Sequence, residues 1–157
     1  MVKPITMSSK TLIILASHRK ESNTEKLIQE IYGDNPYLLI DLLDHPVVPY
    51  SYTGQYSADD GFMDIVNAMK EYDDYVFATP VYWYSMSGAM KMFFDRLTDL
   101  TTESQKQIGK DLKGKSMSVI IAGSDPQLPV GFEVPFMLTA KYFGMVFKGS
   151  IYKPFVD

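Results

Sequence analysis

Residues 11–16 read Thr-Leu-Ile-Ile-Leu-Ala, with nothing polar after the first position. A strand wet on one face alternates apolar and polar residues, so a run without alternation must be covered on both faces. Such strands sit at the centre of parallel sheets, whose crossover helices supply both covers. The rest of the chain provides those helices. Ser22-Asn23-Thr24-Glu25 is a capping box, with Ser22 as N-cap and Glu25 reaching back; Leu27, Ile28 and Ile31 follow at helical spacing, and Gly33 stands where a helix-ending glycine belongs. Phe62, Ile65, Val66, Met69 and Tyr72 mark a second helix, and Met90, Phe93, Phe94, Leu97 and Leu100 a third. Residues 133–143 form a fourth, with Pro135 near its start and Gly144 just past its end. Further strands are predicted over 37–41, 75–79, 117–122 and 145–152, the third stopped by Pro80 and the fourth by Gly123.

Strands alternating with helices imply an α/β fold with right-handed crossovers. Five parallel strands suit the order 2-1-3-4-5, which places ligands beyond the carboxyl ends of strands one, three and four. With 157 residues the chain holds one domain, expected over 11–157 behind an N-terminal extension, 1–10. The stretch 42–60, rich in Pro, Tyr, Ser and Gly, reads as a long loop, a length more often functional than idle.

Composition removes several classes of chemistry. The chain has no cysteine, which excludes disulfides, thiolate nucleophiles, cysteine-ligated zinc and iron–sulfur clusters. Its two histidines, His18 and His45, lie far apart without a carboxylate cluster, so no metal site is expected. A net charge of −4 disfavours nucleic acid, which needs a basic stripe against its phosphates. The longest apolar run is five residues, and residues 1–10 show no signal-peptide core, so neither a membrane span nor secretion is expected. The expected setting is reducing and cytoplasmic.

The loop 17–24 reads Ser-His-Arg-Lys-Glu-Ser-Asn-Thr and opens a helix. Its hydroxyls, amide and cations, together with the bare N–H groups of the helix start, suit a phosphate. The candidate contacts are Ser17, Arg19, Ser22, Asn23 and Thr24, with His18 as a surface residue. Plain capping on a solvated loop accounts for the same residues. The loop after strand three reads Thr79-Pro80-Val81-Tyr82-Trp83-Tyr84-Ser85 and brings three aromatic side chains to the ligand edge, among them the chain's one tryptophan. Aromatic residues there suit the border of a flat heterocycle, while a core cap or a subunit interface would use them as well.

The segments 16–24 and 79–96 settle the comparison. The first resembles the Ser-x-Arg-x-x-Ser-Asn-Thr phosphate loop of the NAD(P)H-dependent FMN reductase family. The second, Thr-Pro-Val-Tyr-Trp-Tyr-Ser-Met-Ser-Gly-Ala-Met-Lys-Met-Phe-Phe-Asp-Arg, is similar to that family's Thr-Pro-Val-Tyr…Ser-x-Ser-Gly…Lys-x-Phe-x-Asp-Arg segment. The resemblance implies a flavodoxin-like three-layer fold and non-covalent FMN. The phosphate would lie on 17–24, the ring against Thr79, Pro80, Val81, Tyr82, Trp83, Tyr84 and Ser85, and a third contact near Gly123 and Ser124. It implies NAD(P)H as co-substrate and a small-molecule electron acceptor such as a quinone or a flavin. Lys91 and Asp95, four apart on one helix face, read as a structural pair beside Arg96. The chain ends after the fifth strand, where the family adds a helix, so part of one sheet face is expected to be bare and covered by assembly into a homodimer or homotetramer.

Two rival readings are weighed against this one. Gly109-Lys110-Asp111-Leu112-Lys113-Gly114-Lys115-Ser116 matches the P-loop pattern, but a P-loop needs a strand before it and a helix after it, and here the expected strand follows. A flavodoxin-type electron carrier would use the same fold and flavin without oxidising NAD(P)H itself. The family resemblance, the modest charge and the long tyrosine-rich loop favour the oxidoreductase. No side-chain acid or base constellation is found, in keeping with chemistry centred on a flavin.

Overall fold

A computed structural model describes residues 10–156; the expected extension 1–10 lies outside them except for Lys10. The elements run β1 (Thr11–Leu15), α1 (Asn23–Tyr32), β2 (Leu38–Asp41), α2 (Phe62–Met69), β3 (Asp74–Pro80), α3 (Gly88–Arg96), a 3₁₀ turn (Leu97–Thr101), α4 (Lys106–Asp111), β4 (Ser116–Gly123), α5 (Val134–Phe143) and β5 (Val146–Pro154). The five strands form one parallel sheet in the order β2-β1-β3-β4-β5. β1 is an interior strand between β2 and β3, and its residues Leu12, Ile13, Ile14 and Leu15 are fully buried, which is what its unbroken apolar run demanded.

Because side chains alternate across a strand, β1 feeds two cores. Ile13 and Leu15 join Leu27 and Ile28 of α1, together with Val76, Ala78, Ile120 and Ala122, on one face. Leu12 and Ile14 join the larger core on the other face, built with Phe62, Ile65 and Val66 of α2, Met90 and Phe93 of α3, and Phe136 and Ala140 of α5. A three-layer α/β sandwich results. At the rim, β5 leaves Val146 and Ile151 about half exposed, and α5 leaves Val134, Met137, Leu138 and Tyr142 exposed. Among the described residues no helix follows β5.

The local signals act with small adjustments. Ser22 Oγ accepts from Glu25 N at 3.2 Å, and the Glu25 carboxylate reaches back to the N–H of Glu21, at 2.8 Å, one residue before the cap. Gly33 and Gly144 end their helices at φ of 51° and 71°, where a side chain would be strained. The third helical stripe breaks earlier than its spacing suggests: α3 stops at Arg96 and Leu97–Thr101 tightens into a 3₁₀ turn. The P-loop lookalike is disposed backwards: it starts inside α4 and runs into β4 at Ser116. Its Lys115 donates to Tyr72 O at 2.7 Å and Tyr75 Oη at 2.9 Å, capping the end of α2. Lys91 pairs with Asp95 on α3.

The long loop 42–60 is held from inside. Arg96 is buried and donates to both Asp60 carboxylate oxygens at 2.8 Å, to Asp99 at 2.9 Å and to Val48 O at 3.0 Å. The Tyr56 ring lies 3.4 Å from the Arg96 guanidinium carbon, and its hydroxyl donates to Asp99 at 2.9 Å. Tyr56 is therefore a structural clasp at the far end of α3. Tyr50 and Tyr52 pack edge to face at 5.1 Å, with Tyr52 open to solvent. No helix among the described residues is long and apolar enough to cross a membrane.

Candidate functional site

The carboxyl ends of β1, β3, β4 and β5 meet at one edge of the sheet, and the loops that leave them enclose a cleft. Its walls are Ser17, Arg19, Ser22, Asn23 and Thr24 from the first loop, Pro80, Val81 and Tyr82 from the second, and Ala122, Gly123, Ser124 and Phe155 from the third side. The sequence placed the first two groups there, along with Gly123 and Ser124.

The first wall is a donor surface. Ser17, Ser22 and Thr24 are buried within the loop while Arg19 is exposed. Among the described residues the Arg19 guanidinium has no ion-pair partner, whereas the neighbouring Lys20 donates to Asp41 and Asp44, both at 2.7 Å. Those two bonds, Asp41 first, raise the Lys20 pKa to about 12. The N–H groups of Asn23 and Thr24 begin α1 without a backbone acceptor, the ordinary condition of a helix start and one that favours an anion. One free cation, several hydroxyls and two helix-start amides match a phosphate monoester.

The second wall turns on Tyr82 and Ser85. Tyr82 N donates to Ser85 O at 3.0 Å and Ser85 N to Tyr82 O at 3.3 Å, closing a two-residue turn over Trp83 and Tyr84. Both central residues have positive φ, 49° and 70°, as in a type I′ turn, a conformation that strains L side chains. Trp83 is 92% exposed and Tyr84 66%, so neither caps the core. Their turn stands at the rim, outside the cleft wall. The His18 ring lies 5.4 Å from that of Tyr82, so the first and second loops touch through an exposed aromatic pair.

Thr79 does something other than line the cleft. It is fully buried, its hydroxyl donates to Pro80 O at 2.8 Å, and it accepts from Ser87 N at 3.0 Å. Ser87 in turn donates to Ala16 O at 2.7 Å and caps α3 at Met90 N, 3.1 Å. The pair ties the roots of the two loops together behind the site.

The third wall shows why a bare glycine is needed. A Cβ on Gly123 would fall 2.6 Å from Tyr152 Oη and 3.1 Å from Val81 Cγ2. Tyr152 is pinned there by donating to Asp125 O at 2.5 Å. Phe155, whose N–H donates to Gly123 O at 2.7 Å, and Ala122 complete the wall and escaped the sequence reading. The signal for Phe155 was available: a fifth parallel strand beside the fourth must end at the same edge.

A second hollow, of about 180 Å³, lies near the opposite edge between α2 and α4. Lys70 and Lys115 line it, and Lys115 is engaged at the end of α2 through Tyr72 O and Tyr75 Oη. Among the described residues no three His, Asp or Glu side chains are grouped to hold a metal ion.

The comparisons with known proteins bear on the family and the fold. The model of the family described as NADPH-dependent FMN reductase matches residues 9–147. YwqN of Bacillus subtilis (strain 168), named as an NAD(P)H-dependent FMN-containing oxidoreductase, is 26% identical over 154 residues, covering 90% of this chain and 83% of that protein. Among solved structures, the Trp repressor binding protein from Bacillus subtilis superposes with a TM-score of 0.77 at 24% identity, covering 94% of this chain and 88% of that one. The general stress protein 14 of Treponema denticola, solved in complex with FMN, gives 0.65 at 22% identity, with 91% and 84% covered. The two structures bear on the fold, which is flavodoxin-like.

Proposed function

The chain belongs to the NADPH-dependent FMN reductase family, and from that membership we propose a specific working arrangement: residues 11–157 form a cytoplasmic FMN-binding oxidoreductase domain that draws on NADH or NADPH and delivers electrons to a quinone, a free flavin or a similar small acceptor. The observation that carries it is the cleft itself, where the unpaired Arg19 and the start of α1 face Pro80, Val81 and Tyr82 across a gap bounded by Gly123 and Ser124. A donor surface of one free cation and helix-start amides fits the phosphate. Pro80, Val81, Gly123 and Ser124 line the cleft beside it and fit the flank of a flat ring.

When bound, FMN would supply the redox chemistry, accepting hydride from the nicotinamide and returning electrons to the acceptor. The chain's residues bind, orient and shield. Ser17, Arg19, Ser22, Asn23 and Thr24 would hold the phosphate. The N–H groups of Trp83 and Tyr84, which have no backbone partner among the described residues, are available to the polar edge of the ring. Pro80 and Val81 fix the ring's lateral position, Val81 N being anchored to Ala122 O at 2.9 Å. Tyr82, Trp83 and Tyr84 form the open side where nicotinamide and acceptor would take turns. Thr79 keeps the second loop's root in place and, on this reading, makes no ligand contact. The exposed apolar residues of α5 and β5 support association with a second copy of the chain, as a homodimer or tetramer.

The test is oxidation of NADH and NADPH by the purified, flavin-loaded protein, with and without a benzoquinone. The proposal expects acceptor-stimulated oxidation without any added reductase. Oxidation that begins only when a separate reductase is supplied would make the protein an electron carrier.

A further inference from the structure

Arg19 and Lys20 are adjacent cations in one loop, and the structure gives them opposite fates. Arg19 is exposed with no ion-pair partner among the described residues, while Lys20 Nζ lies 2.7 Å from both Asp41 Oδ2 and Asp44 Oδ2. Resting on the reading that loop 17–24 takes the FMN phosphate, we propose that Lys20 and Asp41 are positioning residues of the phosphate loop: Lys20 is an internal strut between that loop and the end of β2, and the phosphate is left to Arg19.

The far end of the strut is rigid. Asp41 is the last residue of β2, only 7% exposed, and it stands in register with Leu15 at the end of β1. Its second oxygen, Oδ1, accepts from Leu43 N at 2.9 Å, and Leu42 N donates to Leu15 O at 2.9 Å. The ammonium is therefore fastened to the sheet beside the strand that launches the loop. Asp44, mostly exposed, adds a second acceptor at the surface, where an ion pair counts for little.

The near end explains why a strut is needed. Glu21 has φ +53°, a left-handed backbone that an L side chain resists. Bonds flank this strained residue on both sides: Lys20 to Asp41 before it, and Glu21's own N–H to Glu25 Oε2, at 2.8 Å, on the helix after it. Such strain persists only where the surroundings fix it. The result is a loop folded for an anion before one arrives, which lowers the ordering cost of binding. Charge points the same way. Lys20, Asp41 and Asp44 together carry a net negative charge, so the trio does not attract a phosphate. Drawing Lys20 away would leave the buried Asp41 carboxylate without its cation, an expensive state.

The experiment compares FMN with riboflavin, which carries the same ring without the phosphate, by fluorescence titration of the apoprotein. Asp41→Asn keeps an acceptor for Leu43 N and removes the bond to Lys20; Lys20→Met keeps the stem and removes the charge. The strut predicts that both variants bind FMN about tenfold more weakly, with riboflavin affinity within about twofold of the parent and with Lys20→Arg close to the parent. If Lys20 is instead a phosphate ligand, Asp41→Asn leaves it only the exposed Asp44 to hold it back and FMN binds as well or better, and the proposal is overturned. A parallel loss for both flavins would also overturn it, since that marks general unfolding. Amide hydrogen exchange needs no flavin: exchange across 18–24 should rise in both variants while that of Gly88–Arg96 stays fixed, and unchanged exchange refutes the strut. Should the parent protein bind neither flavin while its exchange responds as stated, the phosphate reading fails and the strut stands.

Discussion

The Arg96 guanidinium meets the Asp60 carboxylate with two parallel bonds, Nη1 to Oδ1 and Nη2 to Oδ2, both 2.8 Å long and both out of water. Bidentate pairing of this kind is strong and directional. It fixes the end of loop 42–60 to the end of α3, two elements that the sequence left unconnected.

Replacing Arg96 with Met leaves the Asp60 carboxylate buried without its cation. A loss of about 3–5 kcal/mol of stability is expected, read from urea unfolding. A change below about 1 kcal/mol, no more than a surface pair is worth, would show that the clasp is slack.

The same pair sets an acid limit. Burial on its own raises the Asp60 pKa, but the bonds from Arg96 and from Val48 N outweigh it and hold the carboxyl below its ordinary 3.8. A carboxyl depressed in the folded state contributes stability above its unfolded pKa and loses that contribution as pH falls through the folded value. In the parent protein this loss is therefore confined to strongly acid solution, below pH 3.8. Arg96→Met removes the main groups that oppose burial and leaves only backbone N–H bonds such as that from Val48, so the folded carboxyl titrates higher and the acid-driven loss should shrink or reverse. Urea midpoints measured from neutral pH down into acid would show the shift, and superimposable acid profiles would contradict it.

Gly123→Ala should do harm at two levels. The new methyl meets Tyr152, which is held in place by Asp125 O, so about 1–3 kcal/mol of stability should be lost and flavin affinity with it. Adding Tyr152→Leu removes the clashing ring and should restore part of the stability. Equal melting temperatures for Gly123→Ala and the parent would mean that the wall yields.

The Trp83-Tyr84 turn holds strain that a better turn sequence would release. Replacing the pair with Asn-Gly, which accepts positive φ at both positions, should stabilise the protein by about 1–2 kcal/mol by thermal unfolding. If the turn forms the open side of the flavin pocket, the KM for nicotinamide or acceptor should rise in the same variant. A more stable protein with unaltered kinetics would remove the turn from the pocket.

Much of this was legible in the sequence because local chemistry and global fold agree. The unbroken apolar run at 11–16 announced an interior strand, and Ser22 and Gly144 marked helix ends where the structure has them. The two ligand-edge loops followed from the strand order. The clasp around Arg96 was not legible, because Asp60 and Arg96 are brought together only by tertiary packing, and the structural reading of Lys91, Asp95 and Arg96 gave Arg96 no partner. The family resemblance put Thr79 beside the ring, and its burial and its bonds to Pro80 O and Ser87 N depend on tertiary packing that the sequence does not display. The helix Lys106–Asp111 is short and carries no apolar stripe, so periodicity had little to detect. Phe155 follows the fifth strand, whereas the strand order by itself directs ligands to the ends of strands one, three and four.

Arg19 is the side chain on which the phosphate half of the site rests. Substituting it with Ala should weaken FMN binding by about 1.5–3 kcal/mol, the usual range for a charge-assisted bond, while riboflavin binding stays near that of the parent. Equal FMN affinity in parent and variant would take Arg19 out of the site.

The most direct measurement is a titration of flavin-free protein with FMN, followed through flavin fluorescence and checked by the absorbance retained after gel filtration. One FMN per chain, held in preference to riboflavin, is the predicted result. Protein that stays colourless through a large excess of FMN, with no saturable change in fluorescence, would contradict the cleft's assignment and the redox function built on it.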